Sequence, residues 1–426
     1  MNKNKEVFVI AFALFSLFFG AGNLILPPLL GLKSGNLWWL VTLGFCVSAV
    51  AIPILGIMAH AKLQGTIFNF GEKVSSGFSL VYSMIIYIIS ISLPSPRTAS
   101  TTHEMAVQPF LNSAPIYTSL VFFGLVYIFV MNRSKILNIL GKILTPAIII
   151  ILLSIIGITV FSDLPSFGET IFKNPFTDGI LEGYQTFDAI GAVVVGGVII
   201  VSINLKGEHT YEEKRSLIRK AGLIAGSGLF IIYTGLIVAG ALMHQSFDTS
   251  ISRTALLNGI SIKTLGNTAS FFLSVLVSLA CFTTAVGIVA GAADFIKSRY
   301  NNSQKAYTIT AIVGCLAGVI MGQFNVGYII AVALPALMFI YPITIVLILL
   351  NVLPDKFTPP TVFKIVVLTT VIFSIPDFLG SIGFGDKIAS LAAYIPLSDA
   401  SMGWVLPALL VFAFMNLKTM FTATRA

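Results

Sequence analysis

The feature that most constrains this chain is a succession of long apolar runs separated by short clusters of charge. A helix needs about 20 mostly apolar residues to cross the hydrocarbon core of a bilayer. Twelve runs approach that length, and they cover residues 6–31, 37–61, 77–95, 116–131, 139–161, 179–203, 217–244, 268–296, 306–322, 326–350, 361–379 and 402–421. Only 10% of the residues are charged, against about 25% in soluble domains. The sequence therefore predicts a membrane protein and excludes a soluble enzyme.

The continuity of these runs decides between the two structures that can span a bilayer, helices and closed barrels. Barrel strands would read as alternating segments of about ten residues, whereas these runs are unbroken. We therefore predict an all-α polytopic membrane protein with about 12 transmembrane helices. The longest polar stretch, 204–220, is a charged inter-helix loop, so we expect a single membrane unit.

The distribution of basic residues indicates how the chain is oriented. If the N-terminus is cytoplasmic, most of the 25 Lys and Arg residues lie on the same side, and such an excess marks the cytoplasmic face. The opposite face then holds Lys33, Arg97, Lys173, Arg253, Lys263 and Lys387. Both termini are predicted to be cytoplasmic. The net charge of +8 follows from this asymmetry, so it does not indicate nucleic-acid binding. The sequence gives no sign of an obligatory protein partner.

Two of the runs contain residues that interrupt a helix near mid-depth. In the first run, residues 19–23 precede Pro27 and Pro28, and in the sixth, residues 182–191 include several polar side chains. Glycine permits many backbone conformations and proline removes a hydrogen-bond donor, so both helices are predicted to break. The alternative is that the glycines only let helices pack closely.

The two breaks lie five helices apart, which predicts two five-helix copies with inverted topology. The copies would cover 6–161 and 179–350, followed by two accessory helices in 361–421. Interrupted helices in corresponding positions of two halves point to the binding site of a secondary transporter.

A broken helix can bind a small zwitterion. N–H groups at the start of the second half, around Gly22, Asn23 and Leu24, can receive a carboxylate, and carbonyl groups before a break can receive an ammonium group. The surrounding Phe, Ile, Val and Leu favour an apolar side chain. The candidate substrate-binding residues are Gly20, Ala21, Gly22, Asn23, Leu24, Tyr184, Thr186 and Phe187.

The eighth run carries oxygen ligands suited to a hard cation. Thr283 and Thr284 follow Ala280 by three and four residues, so their hydroxyl groups lie on the same side of the helix as its carbonyl. Alternatively, each hydroxyl bonds back to its own helix.

Three charged residues are candidates for coupling or gating. Glu182 and Asp188 are the acids that we expect inside a span, where an ionisable group indicates function. Asp188 could instead cap the second half of the sixth helix, and Glu182 could be hydrated near the outer surface. Arg97 follows the third run, where it is either an external gate or a snorkelling residue.

Motifs for other chemistry are absent from the sequence. It contains neither a His-Glu-x-x-His metal motif nor a G-x-x-x-x-G-K-[ST] phosphate loop. We therefore expect no enzyme activity and no cofactor, and energy for transport would come from an ion gradient.

Residues 15–31, FSLFFGAGNLILPPLLG, resemble the first-helix signature of the bacterial branched-chain amino acid:cation symporters. Residues 96–99 and 182–189 resemble the third and sixth helices of that family, while Leu26 and Gln185 depart from its pattern. The resemblance implies the leucine-transporter fold in a bacterial inner membrane. It also implies import of Leu, Ile and Val with sodium by alternating access.

The same resemblance implies a sodium site between the first and eighth helices. Its ligands would be the carbonyl groups of Ser16, Phe19 and Ala280 and the hydroxyl groups of Thr283 and Thr284. A proton carried by Asp188 is the alternative coupling ion, with another small apolar amino acid as substrate. A passive channel or a membrane enzyme is a further alternative.

Overall fold

The computed structural model describes residues 3–132, 136–162, 166–194, 196 and 210–423. The end of the predicted sixth span, residues 197–203, and the first part of the 204–220 loop lie outside the described residues. So do Arg133, Lys135, Lys206 and Arg425 of the predicted cytoplasmic face.

The described residues form α-helices joined by short 3-10 or π turns and loops. The helices are α1 Lys3–Phe18, α2 Ala21–Ser34, α3 Trp38–Cys46, α4 Ile52–Leu63, α5 Ile67–Gly71, α6 Ser76–Ser92, α7 Pro94–Thr102, α8 Pro115–Met131, α9 Ile136–Phe161, α10 Pro175–Tyr184, α11 188–194, α12 Tyr211–Leu242, α13 Arg253–Arg299, α14 Gln304–Gly322, α15 Val326–Val352, α16 Pro360–Leu379, α17 Gly385–Ala392 and α18 Val405–Ala423. The all-helical prediction is confirmed.

Helix length and composition agree with a polytopic membrane protein. In the described residues, the helical stretches long and apolar enough to cross a membrane are Gly22–Leu63, Ser76–Val107, Tyr211–Leu242, Ser270–Arg299, Gln304–Gly322, Val326–Val352 and Pro360–Ser390. Shorter apolar helices cover Pro115–Met131, Pro146–Phe161 and Val405–Leu417. The predicted first span is divided into α1 and α2, and the predicted sixth span is divided into α10 and α11.

Both predicted helix breaks are present. Gly20 separates α1 from α2 in an extended conformation, with φ −104° and ψ −171°. Residues 185–187 separate α10 from α11. The third span differs from its prediction, because helical structure continues past Ser95 through α7 and a π turn to Val107. Proline is compatible with the first turn of a helix, so Pro94 begins α7 rather than ending the span.

One compact unit contains the described residues of Met1–Val50, Tyr87–Phe187 and Leu223–Val332. In this unit α13 packs against α2, α7, α9 and α14, and α3 packs against α10. A Cβ atom on Gly44 would lie 1.9 Å from the Phe176 carbonyl oxygen, and one on Gly179 would lie 2.3 Å from that of Val41. The α3 and α10 backbones therefore touch, which fixes the first half of the interrupted sixth span.

The second compact unit contains the described residues of Ala51–Ile86, Asp188–Gly222 and Ala333–Ala426. In it α16 packs against α18. The Asp355 carboxylate accepts hydrogen bonds from Lys62 (3.1 Å) and Lys73 (2.8 Å), which join the end of α4 and the segment after α5 to the turn after α15, on the predicted cytoplasmic side. Each unit draws on segments of both proposed repeats, whose boundaries stay a prediction.

Candidate functional site

The first break is held by a side chain from α12. The Asn23 amide, 1% exposed, donates to the Tyr233 hydroxyl group. The Tyr233 ring stacks on Phe19 with 6.5 Å between centroids and meets Phe45 edge-on at 5.4 Å. These contacts fix the first turn of α2. Tyr233 was missed by the sequence reasoning, although a tyrosine within an apolar run needs a hydrogen-bond partner.

The second break is a tight turn at the end of α10. The backbone N–H groups of Gln185, Thr186 and Phe187 donate to carbonyl groups three residues earlier, at 3.0, 3.2 and 3.1 Å. The Thr186 hydroxyl group also donates to the Gly183 carbonyl oxygen at 2.8 Å. Phe187 has a positive φ of 64°, which is uncommon for a bulky residue. Strained backbone of this kind concentrates at functional sites.

Arg97 lies between the two breaks. Its Nη1 atom donates to the Gln185 carbonyl oxygen at 2.6 Å, and its Cζ atom lies 5.2 Å from the centroid of the Phe187 ring. A Cβ atom on Gly22 would lie 2.3 Å from Nη2, so the guanidinium group touches the start of α2. One buried cation therefore contacts both interrupted helices.

The expectation that Arg97 sits at the outer end of the third span, as a snorkelling residue, is wrong. The helix continues to Val107, and Arg97 is 3% exposed. A gating role for Arg97 stays a prediction.

Glu182 forms an ion pair instead of standing alone. Its Oε1 atom lies 2.6 Å from Nη2 of Arg253, with side-chain exposures of 22% and 19%. Arg253 is the first residue of α13, which is kinked at Gly266 (φ 81°, ψ 176°), so the pair ties α10 to the segment of α13 that precedes the kink. The sequence reasoning missed this partner, which lies 71 residues away.

Asp188 is the first residue of α11 and is 4% exposed. The next N–H group, of Ala189, donates to the Tyr341 hydroxyl group at 3.2 Å. The capping and coupling interpretations of Asp188 both remain open.

The expectation that Glu182 and Asp188 are the acids inside the spans is incomplete. Asp377 lies in the last turn of α16, within the predicted eleventh span, and is only 8% exposed. It too is a buried acid within a predicted span.

The threonine pair of α13 lies beside the first break. The Thr283 hydroxyl group donates to the Ala280 carbonyl oxygen at 2.9 Å, so the back-bonding interpretation describes this residue. The Thr284 Oγ1 atom would lie 3.5 Å from a Cβ atom on Gly20, so its hydroxyl group faces the break. Convergence of the Ser16 and Phe19 carbonyl groups on the same point stays a prediction.

Sequence comparisons identify a family of transport proteins rather than enzymes. The model of the family described as "Branched-chain amino acid transport protein" matches residues 3–422. The branched-chain amino acid permease BraB of Bacillus subtilis is 32% identical, with 95% of this chain and 93% of the relative covered. The branched-chain amino acid transport system 2 carrier protein of Pseudomonas aeruginosa is 30% identical, with 95% and 94% covered.

Solved structures with the same fold are also transporters. Mhp1, a nucleobase-cation-symport-1 family transporter in a closed conformation, matches with a TM-score of 0.64 and 11% identity, covering 98% of this chain and 92% of its own. MhsT in complex with L-phenylalanine matches with a TM-score of 0.57 and 14% identity, covering 95% and 97%. The protein has the leucine-transporter fold predicted from the sequence, and its chain belongs to the branched-chain amino acid transport protein family.

Proposed function

We propose that this protein is a secondary active transporter that imports branched-chain amino acids with sodium by alternating access. The observation that carries the proposal is the meeting of both interrupted helices at one guanidinium group, where Arg97 contacts Gly22 and the Gln185 carbonyl oxygen. The names of the sequence relatives support the choice of substrate.

The substrate carboxylate would bind at the start of α2. The N–H groups of the first turn of a helix have no intrahelical acceptor, and the helix dipole favours an anion there. In α2 these groups belong to Ala21, Gly22, Asn23 and Leu24, and Gly20 is the preceding residue. The turn at Tyr184, Thr186 and Phe187 would contact the rest of the amino acid.

Sodium would bind on the other side of the first break, between α1 and α13. The ligands would be the carbonyl oxygens of Ser16, Phe19 and Ala280 and the hydroxyl oxygens of Thr283 and Thr284. Hard cations prefer such oxygen ligands. The position of Thr284 beside Gly20 supports this site.

The coupling is tested by uptake of labelled leucine into proteoliposomes. We expect an inward sodium gradient to accelerate uptake, and equal rates with and without the gradient would reject sodium coupling. In a T283A/T284A double variant, sodium activation should fall more than thermal stability does. Thr369→Ala is the matched control, because the Thr369 hydroxyl group also bonds to its own helix but is exposed.

Proton coupling is the second candidate, since Asp188 is a buried acid at the start of α11. Asp188→Asn separates the two ions. A proton carrier would lose gradient-driven uptake on this change, whereas a capping residue would retain sodium-driven uptake. We propose that Glu182 and Arg97 act in gating, because Glu182 pairs α10 with Arg253 of α13 and Arg97 binds the turn that follows α10.

The proposed location is a bacterial inner membrane with both termini in the cytoplasm. The distribution of basic residues supports this orientation. Labelling of single cysteines introduced at Lys73 and at Lys387 with an impermeant reagent would test it. We expect only the Lys387 position to react from outside intact cells.

A further inference from the structure

Gln185, in the turn between α10 and α11, has a buried side-chain oxygen without a hydrogen-bond partner among the described residues. The residue is 3% exposed, and within the described part of the chain its Oε1 atom has no hydrogen-bond partner. An acceptor buried in this way costs about 1–3 kcal/mol. Such groups in native structures point to a water, an ion or a ligand.

The backbone of Gln185 lies beside the proposed substrate site. The Gln185 carbonyl oxygen accepts a hydrogen bond of 2.6 Å from the Arg97 guanidinium group, and that group also contacts Gly22 at the start of α2. Arg97 therefore connects Gln185 to the helix end that we assign to the substrate carboxylate.

The Gln185 amide oxygen and the Arg97 charge together limit which ligands can bind here. An amide oxygen accepts hydrogen bonds, so its ligand must be a donor. A bare cation would be repelled by the nearby Arg97 charge. A zwitterion fits, because its carboxylate compensates the guanidinium charge while its ammonium group donates to the amide oxygen.

We propose that Gln185 Oε1 accepts a hydrogen bond from the α-ammonium group of the substrate, while Arg97 and the first turn of α2 bind the carboxylate. This inference rests on the proposed function and names the residue that recognises an amino acid rather than a simple carboxylic acid.

The experiment compares ligands that share one carbon skeleton. Leucine, 4-methylpentanoate without the ammonium group, and 3-methylbutylamine without the carboxylate are titrated against purified protein by ligand-induced thermal stabilisation. Gln185→Met keeps the side-chain length and removes the oxygen. We expect leucine to bind about 10- to 100-fold more weakly, while the affinity for 4-methylpentanoate changes less than about threefold.

The control is Gln323→Met, because Gln323 is exposed at the end of α14, and it should bind all three ligands like the wild type. An unchanged ratio of leucine to 4-methylpentanoate affinity in Gln185→Met overturns the inference, leaving a bound water as the partner of the oxygen. If wild-type protein does not bind leucine, the proposed function itself fails, which is a distinct result.

A second variant covers the case in which Gln185→Met does not fold. Gln185→Glu keeps an acceptor at the same place and adds a negative charge. We expect it to bind 3-methylbutylamine at least about tenfold more tightly than the wild type does. An unchanged affinity for the amine overturns the inference independently of the first variant.

Discussion

Gly22→Ala is the sharpest probe of the contact between the two interrupted helices. The new Cβ atom would lie 2.3 Å from Nη2 of Arg97 and 3.0 Å from Cζ. Both distances are shorter than ordinary carbon contacts, which begin near 3.5 Å. The guanidinium group must therefore move by about 1 Å or more, which disrupts its contacts with the Gln185 carbonyl oxygen and the Phe187 ring.

The contacts at risk set the size of the effect. A hydrogen bond from a charged group contributes about 1.5–3 kcal/mol, and a cation–π contact contributes about 0.5–2 kcal/mol. Loss of both costs at least about 2 kcal/mol, which corresponds to about a 30-fold change in rate or affinity. We therefore expect leucine uptake to fall by at least tenfold, allowing about 0.6 kcal/mol for partial relaxation of the arginine.

The assay is the initial rate of labelled leucine uptake in proteoliposomes, normalised to inserted protein, together with the thermal unfolding midpoint. Gly124→Ala in α8 is the control, since its Cβ atom would meet nothing within 4 Å and alanine favours a helix by about 1 kcal/mol over glycine. We expect Gly124→Ala to transport like the wild type. Wild-type uptake by Gly22→Ala at equal insertion would refute the role given to the guanidinium group.

Three further outcomes follow from other contacts. A Cβ atom on Gly31 would lie 1.8 Å from the Ile237 carbonyl oxygen, so Gly31→Ala should abolish the monodisperse peak in size-exclusion chromatography, unlike the α8 glycine control. Neutralising Glu182 or Arg253 should cost about 1–3 kcal/mol of thermal stability; exchanging the two charges should restore much of it, and no recovery would argue against a direct pair. Hydrogen bonds from Lys73 and Lys62 hold the pKa of Asp355 below its ordinary value of 3.8. These bonds therefore stabilise the fold above pH 3.8, and their contribution is lost on further acidification. Asp355→Asn should remove that acid dependence, with an effect below about 1 kcal/mol because the carboxylate is exposed.

The positions of the two breaks were predictable because their causes are local. Glycine and proline near Gly20, and polar side chains around Thr186, contradict a continuous apolar helix wherever they occur. The bounds of most helices were predictable for a similar reason, since apolar length is set by bilayer thickness. The third helix was misjudged at Pro94, where the sequence alone does not distinguish a helix that ends from one that restarts in line.

The contacts that build the site were beyond prediction because they join distant residues. Arg97 and Gln185 are 88 positions apart, and Asn23 and Tyr233 are 210 apart. No periodicity relates such pairs. What the sequence does show is that each partner is a polar group in an apolar run, which must find a hydrogen bond inside the protein.

The two helix ends at the breaks differ in how their backbone groups are satisfied, and this difference would let the proposed site contribute to both folding and transport. A charged side chain at membrane depth is costly, and the carbonyl group of Gln185 compensates part of that cost for Arg97. The protein thus satisfies the carbonyl end of α10 with its own cation. At the start of α2, however, the substrate carboxylate would accept hydrogen bonds from the backbone N–H groups and lie close to the same guanidinium group. Binding would then tie α2 more closely to α7 and α10, all of which lie in one compact unit. The substrate would thereby add contacts to this network, which is how ligand binding can favour one conformation over another.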